Sequence, residues 1–138
     1  MRSAVVHLVL GVLLLGSVPS LGSPPPAGRY TISGGTVYDT KTKLTWQQVP
    51  SSTTYTASGA GTYCAGLSLA GLHWRLPAIK ELATLVDGTG AIDATSFPSS
   101  PSCWSSTTLV YAGSNAVWTG PGAHFDTPTN QHYARCVH

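Results

Sequence analysis

The sequence predicts an α+β fold of mostly short antiparallel strands, two short helices and long loops, and three observations carry that expectation. First, β-forming runs at Tyr30 to Ile32, Thr36 to Tyr38 and Lys43 to Trp46 are separated by Gly34-Gly35 and by Asp39-Thr40-Lys41-Thr42, the pattern of a short antiparallel meander. Second, Cys103 to Leu109, Ala116 to Thr119, Ala123 to Asp126 and His132 to Val137 read as further strands, with Gly120-Pro121-Gly122 and Pro128-Thr129-Asn130 as turns. Third, the middle of the chain carries helical spacings. Ile79, Leu82 and Leu85 share one helical face after Pro77, and proline suits an opening turn, where its missing N–H has no partner to lose. Residues 77 to 86 are therefore expected to be a short amphipathic helix. A helix over about Gly61 to Leu69 would bury Tyr63, Cys64, Leu67 and Leu69. The Ser, Thr and Gly-rich stretch Pro50 to Gly61 and the segment Asp87 to Pro101, anchored by Ile92 and Phe97, read as loops.

The chain has 138 residues and divides into three parts. Residues 1–22, with Arg2, an apolar run from Ala4 to Leu15 and small residues after it, form a secretory signal peptide. Residues 23–28, with three successive prolines, are an extended linker, and 29–138 form one domain. No later run reaches the roughly 20 apolar residues that a membrane helix needs, so no membrane span is expected and the protein is placed outside the cell, in the periplasm or at the cell surface. Seven Lys and Arg against five Asp and Glu give a net charge of +2, too weak and too scattered for a nucleic-acid binder. The three cysteines, Cys64, Cys103 and Cys136, imply one disulfide and one remaining thiol in an exported chain. Three pairings are open. Cys64 with Cys136 is favoured, and it would leave Cys103 as a small buried residue beside Trp104 or as a cysteine paired between chains.

An ordered series of short matches runs along almost the whole domain. It starts at Thr36-Val37-Tyr38-Asp39-Thr40 and Leu44-Thr45-Trp46-Gln47 and passes through Tyr63-Cys64 and Leu69-Ala70-Gly71 to Trp74-Arg75-Leu76-Pro77 and Glu81-Leu82. It continues through Ile92-Asp93, Phe97-Pro98 and Trp104-Ser105-Ser106 to Ala134-Arg135-Cys136-Val137. With these residues the chain resembles the bacterial Lcl C-terminal domain family, named after a collagen-like adhesin. The resemblance implies a C-type-lectin-like fold, a Cys64–Cys136 link and, for the collagen-linked member, binding of sulfated glycans by a trimer. Two departures stand out. Ala78 replaces the family's usual Thr, which with Glu81 would make a capping box worth on the order of 1 kcal/mol. No Gly-X-Y stalk precedes the domain, so the family's trimer does not carry over and the oligomeric state stays open.

The candidate sites are few. Lys41 and Lys43 flank a turn and could meet an anionic sugar, while Tyr55, Tyr111 and Trp118 sit in or beside polar loops where a ring could stack on a sugar face. Trp74, Arg75, Pro77 and Glu81 form the structural motif of a strand-to-helix joint; the Arg75 fork suits a carboxylate or sulfate, but buried or half-buried charges are ordinarily paired within the fold. Arg135 is read in the same way. Asp87 and Asp93 lack the regular spacing of a calcium loop and read as turn residues. His73, His124, His132 and His138 show no spacing of two or four on one element that would suggest zinc, so no metal and no cofactor is expected. No Gly-x-Ser-x-Gly occurs and Glu81 is the sole glutamate, which leaves no catalytic constellation. The expected function is a secreted, non-catalytic recognition or adhesion module for a carbohydrate or cell-surface polymer. The alternatives are a structural, envelope-associated protein without a small ligand, and a thiol enzyme using Cys103. The latter is motivated by the similarity of Arg75-Leu76-Pro77 and Glu81 to the lectin-like core of formylglycine-generating enzymes.

Overall fold

Two glycines set the first turn. Gly34 and Gly35 both take positive φ, +54° and +81°, which only glycine adopts without strain and which closes a two-residue hairpin with the right strand twist. That hairpin joins β1 (Tyr30–Ser33) to β2 (Thr36–Asp39), and β3 (Thr45–Gln47) pairs antiparallel with the other edge of β2. The computed structural model describes residues 28–109, 113–120 and 122–138; residues 1–22, expected as a signal peptide, residues 23–27 of the expected linker, and Tyr111 lie outside the described residues.

The turn between β2 and β3 is built on Asp39, which is fully buried. Its carboxylate accepts from the Lys41 N–H at 2.9 Å and the Thr42 hydroxyl at 2.9 Å, and takes a fork from Arg29 at 3.1 and 2.8 Å. Arg29 also donates to the Thr84 carbonyl at 2.6 Å, so one guanidinium ties the first sheet to the second helix. Burial alone would raise the Asp39 pKa, but these donors outweigh it and hold the carboxyl below its ordinary value.

The helices differ from the sequence reading in extent. The first, α1 (Ala57–Ala65), begins four residues earlier than expected, because the Thr56 side chain caps it by accepting from the Gly59 N–H at 3.2 Å. It ends at Gly66, so Leu67 and Leu69 lie beyond it, packed at the edge of the core. Ala57, Ala60 and Cys64 form its buried face. The second, α2 (Ile79–Ala83), has only five residues. Pro77 precedes its N-cap instead of opening the helix, and Thr84, Leu85 and Val86 continue it through i to i+3 bonds onto Glu81, Leu82 and Ala83. Ala78 has no side chain with which to cap. Other groups satisfy the first turn: Thr107 Oγ1, from another element, accepts from the Ile79 N–H at 3.0 Å, Glu81 Oε2 accepts from the Ala78 N–H at 2.8 Å, and the Glu81 N–H that a capping hydroxyl would take bonds to the Ala78 carbonyl at 3.0 Å.

The second sheet is an antiparallel meander of β4 (Cys103–Leu109), β5 (Ser114–Trp118) and β6 (Ala123–Asp126), in the order β4-β5-β6. Its register shifts between Trp104 and Thr108. At that irregularity Ser106 donates to the Pro77 carbonyl and Thr107 reaches α2, which is how Trp104-Ser105-Ser106 and the Pro77 joint come to act together.

The last segment, expected as a strand over His132 to Val137, makes isolated bridges rather than one regular strand. Its backbone nevertheless bonds on both edges. His132, Ala134, Cys136 and His138 bond to Tyr55, Ser51, Gln47 and Thr45. Tyr133 and Val137 bond to Ser102, Trp104 and Arg75. The ladder is irregular because the Ser51 hydroxyl and the Gln47 amide oxygen, not backbone carbonyls, accept from the Ala134 and Cys136 N–H groups. Side chains alternate with period two: Ala134 and Cys136 enter a core with Trp74, Leu76, Trp104 and Val117, whereas Val137 enters one with Val37, Trp46, Leu82, Phe97 and Trp118. Cys64 and Cys136 form the disulfide, with Cα atoms 5.5 Å apart and a sequence separation of 72. The chain is thus a small α+β fold with one cross-link between its first helix and its last segment.

Asp39→Asn should destabilise the domain by about 3 kcal/mol, since it strands Arg29, which lies almost wholly inside. The native Asp39 pKa is depressed, so its contribution exists above the unfolded-state value of about 3.9 and disappears as pH falls through the lower folded-state value. Urea titrations at pH 7 and pH 3 check this: the wild-type–mutant difference should shrink at the lower pH.

Candidate functional site

A groove runs beside α1. Its volume is about 690 Å³, and it is lined by Tyr55, Thr56, Ser58, Gly59, Thr62, Tyr63, Gly66, Leu67 and Ser68. Two aromatic rings anchor it: Tyr55 and Tyr63 stack with centroids 5.1 Å apart and planes inclined by 27°. Glycine at position 59 makes the close approach possible, because a Cβ there would meet Thr56 Oγ1 at 3.1 Å and Tyr55 Cβ at 3.4 Å. The Tyr63 hydroxyl accepts from Gln47 Nε2 at 2.8 Å, and Gln47 Oε1 in turn accepts from the Cys136 N–H at 3.1 Å. One wall of the groove is therefore braced through a buried amide to the disulfide. Tyr55 is held through its backbone, which exchanges two hydrogen bonds with His132 and accepts the Trp104 indole N–H at 2.6 Å. A second hollow of about 410 Å³ shares Gly66, Leu67 and Ser68 with the groove and extends it to His73 and Trp74.

Among the described residues, no charged side chain lines the main groove. Hydroxyls, backbone groups and two aromatic faces suit a neutral, hydroxyl-rich ligand with apolar patches, which stacks on a ring and exchanges hydrogen bonds at its edges.

Of the five ligand candidates drawn from the sequence, Tyr55 lies in this groove. Lys41 and Lys43 are exposed on the β2–β3 turn and do not line it. Trp118 is only 6% exposed and packs in the core with Trp46 and Phe97, because this end of β5 is covered on both faces, Val117 entering one core cluster and Trp118 the other; its ring offers no face to a ligand. Tyr111 lies outside the described residues. Tyr63, expected on a buried helix face, lines the groove beside Tyr55 and is the aromatic residue of the site that sequence reasoning misses. The available signal was its place, with Tyr55, at the two ends of a Ser, Thr and Gly-rich run.

The structural motif is a joint. Trp74 is buried and its indole donates to the Leu69 carbonyl at 2.9 Å. Arg75 and Glu81 form a bidentate pair at 2.7 and 2.6 Å, and the Arg75 fork holds the Glu81 carboxyl below its ordinary pKa. With both arms of the fork on Glu81, Arg75 has its anion within the fold. Arg135 is buried over the Phe97 ring, 5.0 Å from its centroid, and donates to the Ser99 carbonyl. Asp87 and Asp93 each accept from N–H groups two to four residues further along their own loops, as turn residues do.

Cys103 is buried, its thiol donates to the Pro101 carbonyl at 3.3 Å, and burial pushes its pKa up to about 11; a thiol nucleophile needs the opposite shift. Histidine spacing alone suggested no metal site, yet the ligand atoms of His124, Asp126 and His132 lie within 4.8 Å of one another. The missed signal is His124-x-Asp126 on one strand, with His132 brought back by the following turn.

The family model of the Lcl C-terminal domain matches residues 35–138. No curated protein and no solved structure matches the chain.

Cys103 should resist an aromatic disulfide reagent at pH 8 in the native protein and react fully in denaturant. A native reaction rate within tenfold of the denatured one would show an accessible thiol.

Proposed function

The chain belongs to the Lcl C-terminal domain family, and from that premise we propose that it is an exported, non-catalytic recognition module that binds a neutral carbohydrate or a hydroxyl-rich cell-surface polymer along the Tyr55–Tyr63 groove. The observation that carries this reading is the combination of stacked rings and hydroxyl side chains without a charge, on a wall fixed through Gln47 to Cys136. A rigid ring costs little conformational entropy when it stacks on a sugar face. The charge-free lining argues for neutral sugars over sulfated ones, which need Arg or Lys at the contact. The shallow, open form fits recognition of an extended chain better than enclosure of a small molecule, and a single such site would be weak, with avidity supplied by several copies. The raised Cys103 pKa supports the non-catalytic reading. Export is supported by the leader-like residues 1–22 and by the internal disulfide; among the described residues no helix is long and apolar enough to cross a membrane.

A glycan array probed with the mature protein displayed on multivalent beads tests the proposal. Neutral glycans are expected to bind with little salt dependence, and Tyr55→Ala should weaken them about tenfold, the loss of roughly 1.4 kcal/mol of stacking, assayed well below the lowered Tm that follows from losing the Tyr63 stack. Binding confined to sulfated glycans, lost at 0.5 M salt and retained by Tyr55→Ala, would place recognition elsewhere. The absence of any hit would remove the lectin reading.

A further inference from the structure

We propose that His124, Asp126 and His132 form a three-ligand site for a divalent transition-metal ion of the zinc class, independent of the groove. The strand supplies two ligands. Residues i and i+2 of a strand share a face, so His124 and Asp126 project together from β6, while Phe125 points the other way. His132 comes back across the turn at residues 127 to 130 and places Nε2 2.7 Å from Asp126 Oδ2. All three donor atoms lie within 4.8 Å of one another.

Two of the three ligands are already fixed by neighbours. Asp126 Oδ1 accepts from the Thr127 N–H at 2.7 Å and Asn130 Nδ2 at 2.8 Å, which leaves Oδ2 directed at His132. The His132 backbone exchanges hydrogen bonds with Tyr55, and its ring stands edge-on to Trp104 at 4.7 Å and 89°. Such supporting contacts orient the ligands of metal sites. His124 is exposed and free to adjust; its ring centroid is 6.2 Å from that of His132. Metal–ligand bonds of about 2.0–2.2 Å in a tetrahedron put donor atoms roughly 3.4 Å apart. Binding would therefore open the His132–Asp126 contact by about 0.7 Å and draw His124 in by no more than about 1.5 Å, the scale of a side-chain rotation. The metal takes the place of the proton shared between His132 Nε2 and Asp126 Oδ2; a neutral His132 ring moves that proton to Nδ1, and a cationic ring gives one proton to water. Two imidazoles and one carboxylate match the nitrogen and oxygen preferences of zinc and leave a fourth position to water on the open side.

The competing account is a plain ion pair in which Asp126 and His132 staple the turn. It needs no contribution from His124, and that difference decides the test. Untagged mature protein is titrated with Zn²⁺ against a chromophoric chelator at pH 7.5. The proposal expects one ion per chain with Kd below about 10 μM, a Tm that rises with Zn²⁺ concentration, at least tenfold weaker binding in His124→Ala with the metal-free Tm unchanged, and a smaller loss in Asn130→Ala. His73→Ala should bind as wild type does. Equal affinity in His124→Ala, loss in His73→Ala, or no stoichiometric binding tighter than about 100 μM would overturn it.

Discussion

The backbone of residues 132 to 138 is the constraint on which the structure depends. A chain with short strands has too few ladder hydrogen bonds within each sheet to hold two sheets and two helices in one arrangement, and a two- or three-stranded sheet needs a packed partner. The terminal segment supplies that coupling by bonding on both edges, to 45–55 on one side and to Arg75 and 102–104 on the other. Its period-two alternation then inserts Ala134 and Cys136 into one core cluster and Val137 into the other. The Cys64–Cys136 bond anchors the segment to α1; by chain entropy, closing a loop of this length contributes on the order of 4 kcal/mol. Every functional feature is referred back to it: Gln47 reaches Tyr63 from Cys136, and Tyr55 and His132 share one bridge.

Polar contacts between elements set the rest of the geometry. Arg29 joins the β2–β3 turn to the end of α2, Thr107 caps α2 from the irregular part of β4, and the Trp104 indole is satisfied by the Tyr55 carbonyl. These contacts explain how a five-residue helix persists without a capping side chain of its own. A helix this short gains little from its internal hydrogen bonds, and tertiary partners must hold it. The same logic explains how the first turn of α2 is satisfied although Ala78 offers no hydroxyl: Thr107, from another element, takes the Ile79 N–H, and the Ala78 carbonyl takes the Glu81 N–H.

What the sequence made legible was local. Gly34-Gly35, the Asp39 turn and the β-forming runs at 30, 36, 103 and 123 act through their own backbone preferences, and the structure keeps them close to the expected boundaries. The α1 start was not legible, because a helix containing Gly59 and Gly61 has poor intrinsic propensity and forms by burying Ala57, Ala60 and Cys64 against β4 and the terminal segment. Trp118 looked available because turn residues follow it, but β5 turns it inward. Of the groove, Tyr55 was legible and Tyr63 was not, since the hydrogen bond that fixes it comes from Gln47, sixteen residues away in sequence. His132 joins His124 and Asp126 only across a turn, which linear spacing does not register.

The shared terminal segment also braces the groove wall on so loop-rich a chain, since Tyr55 and Tyr63 are both tied to it. Native-state hydrogen exchange measured by NMR tests that directly. The amides of Tyr133, Val137 and His138, and those of Gln47, Tyr55, Arg75 and Trp104 that bond to the segment, should exchange together and more slowly than any others in the domain, at the rate of global unfolding. Exchange of the segment at loop rates while the sheets stay protected would contradict the account, because the two sheets would then be held together by something else.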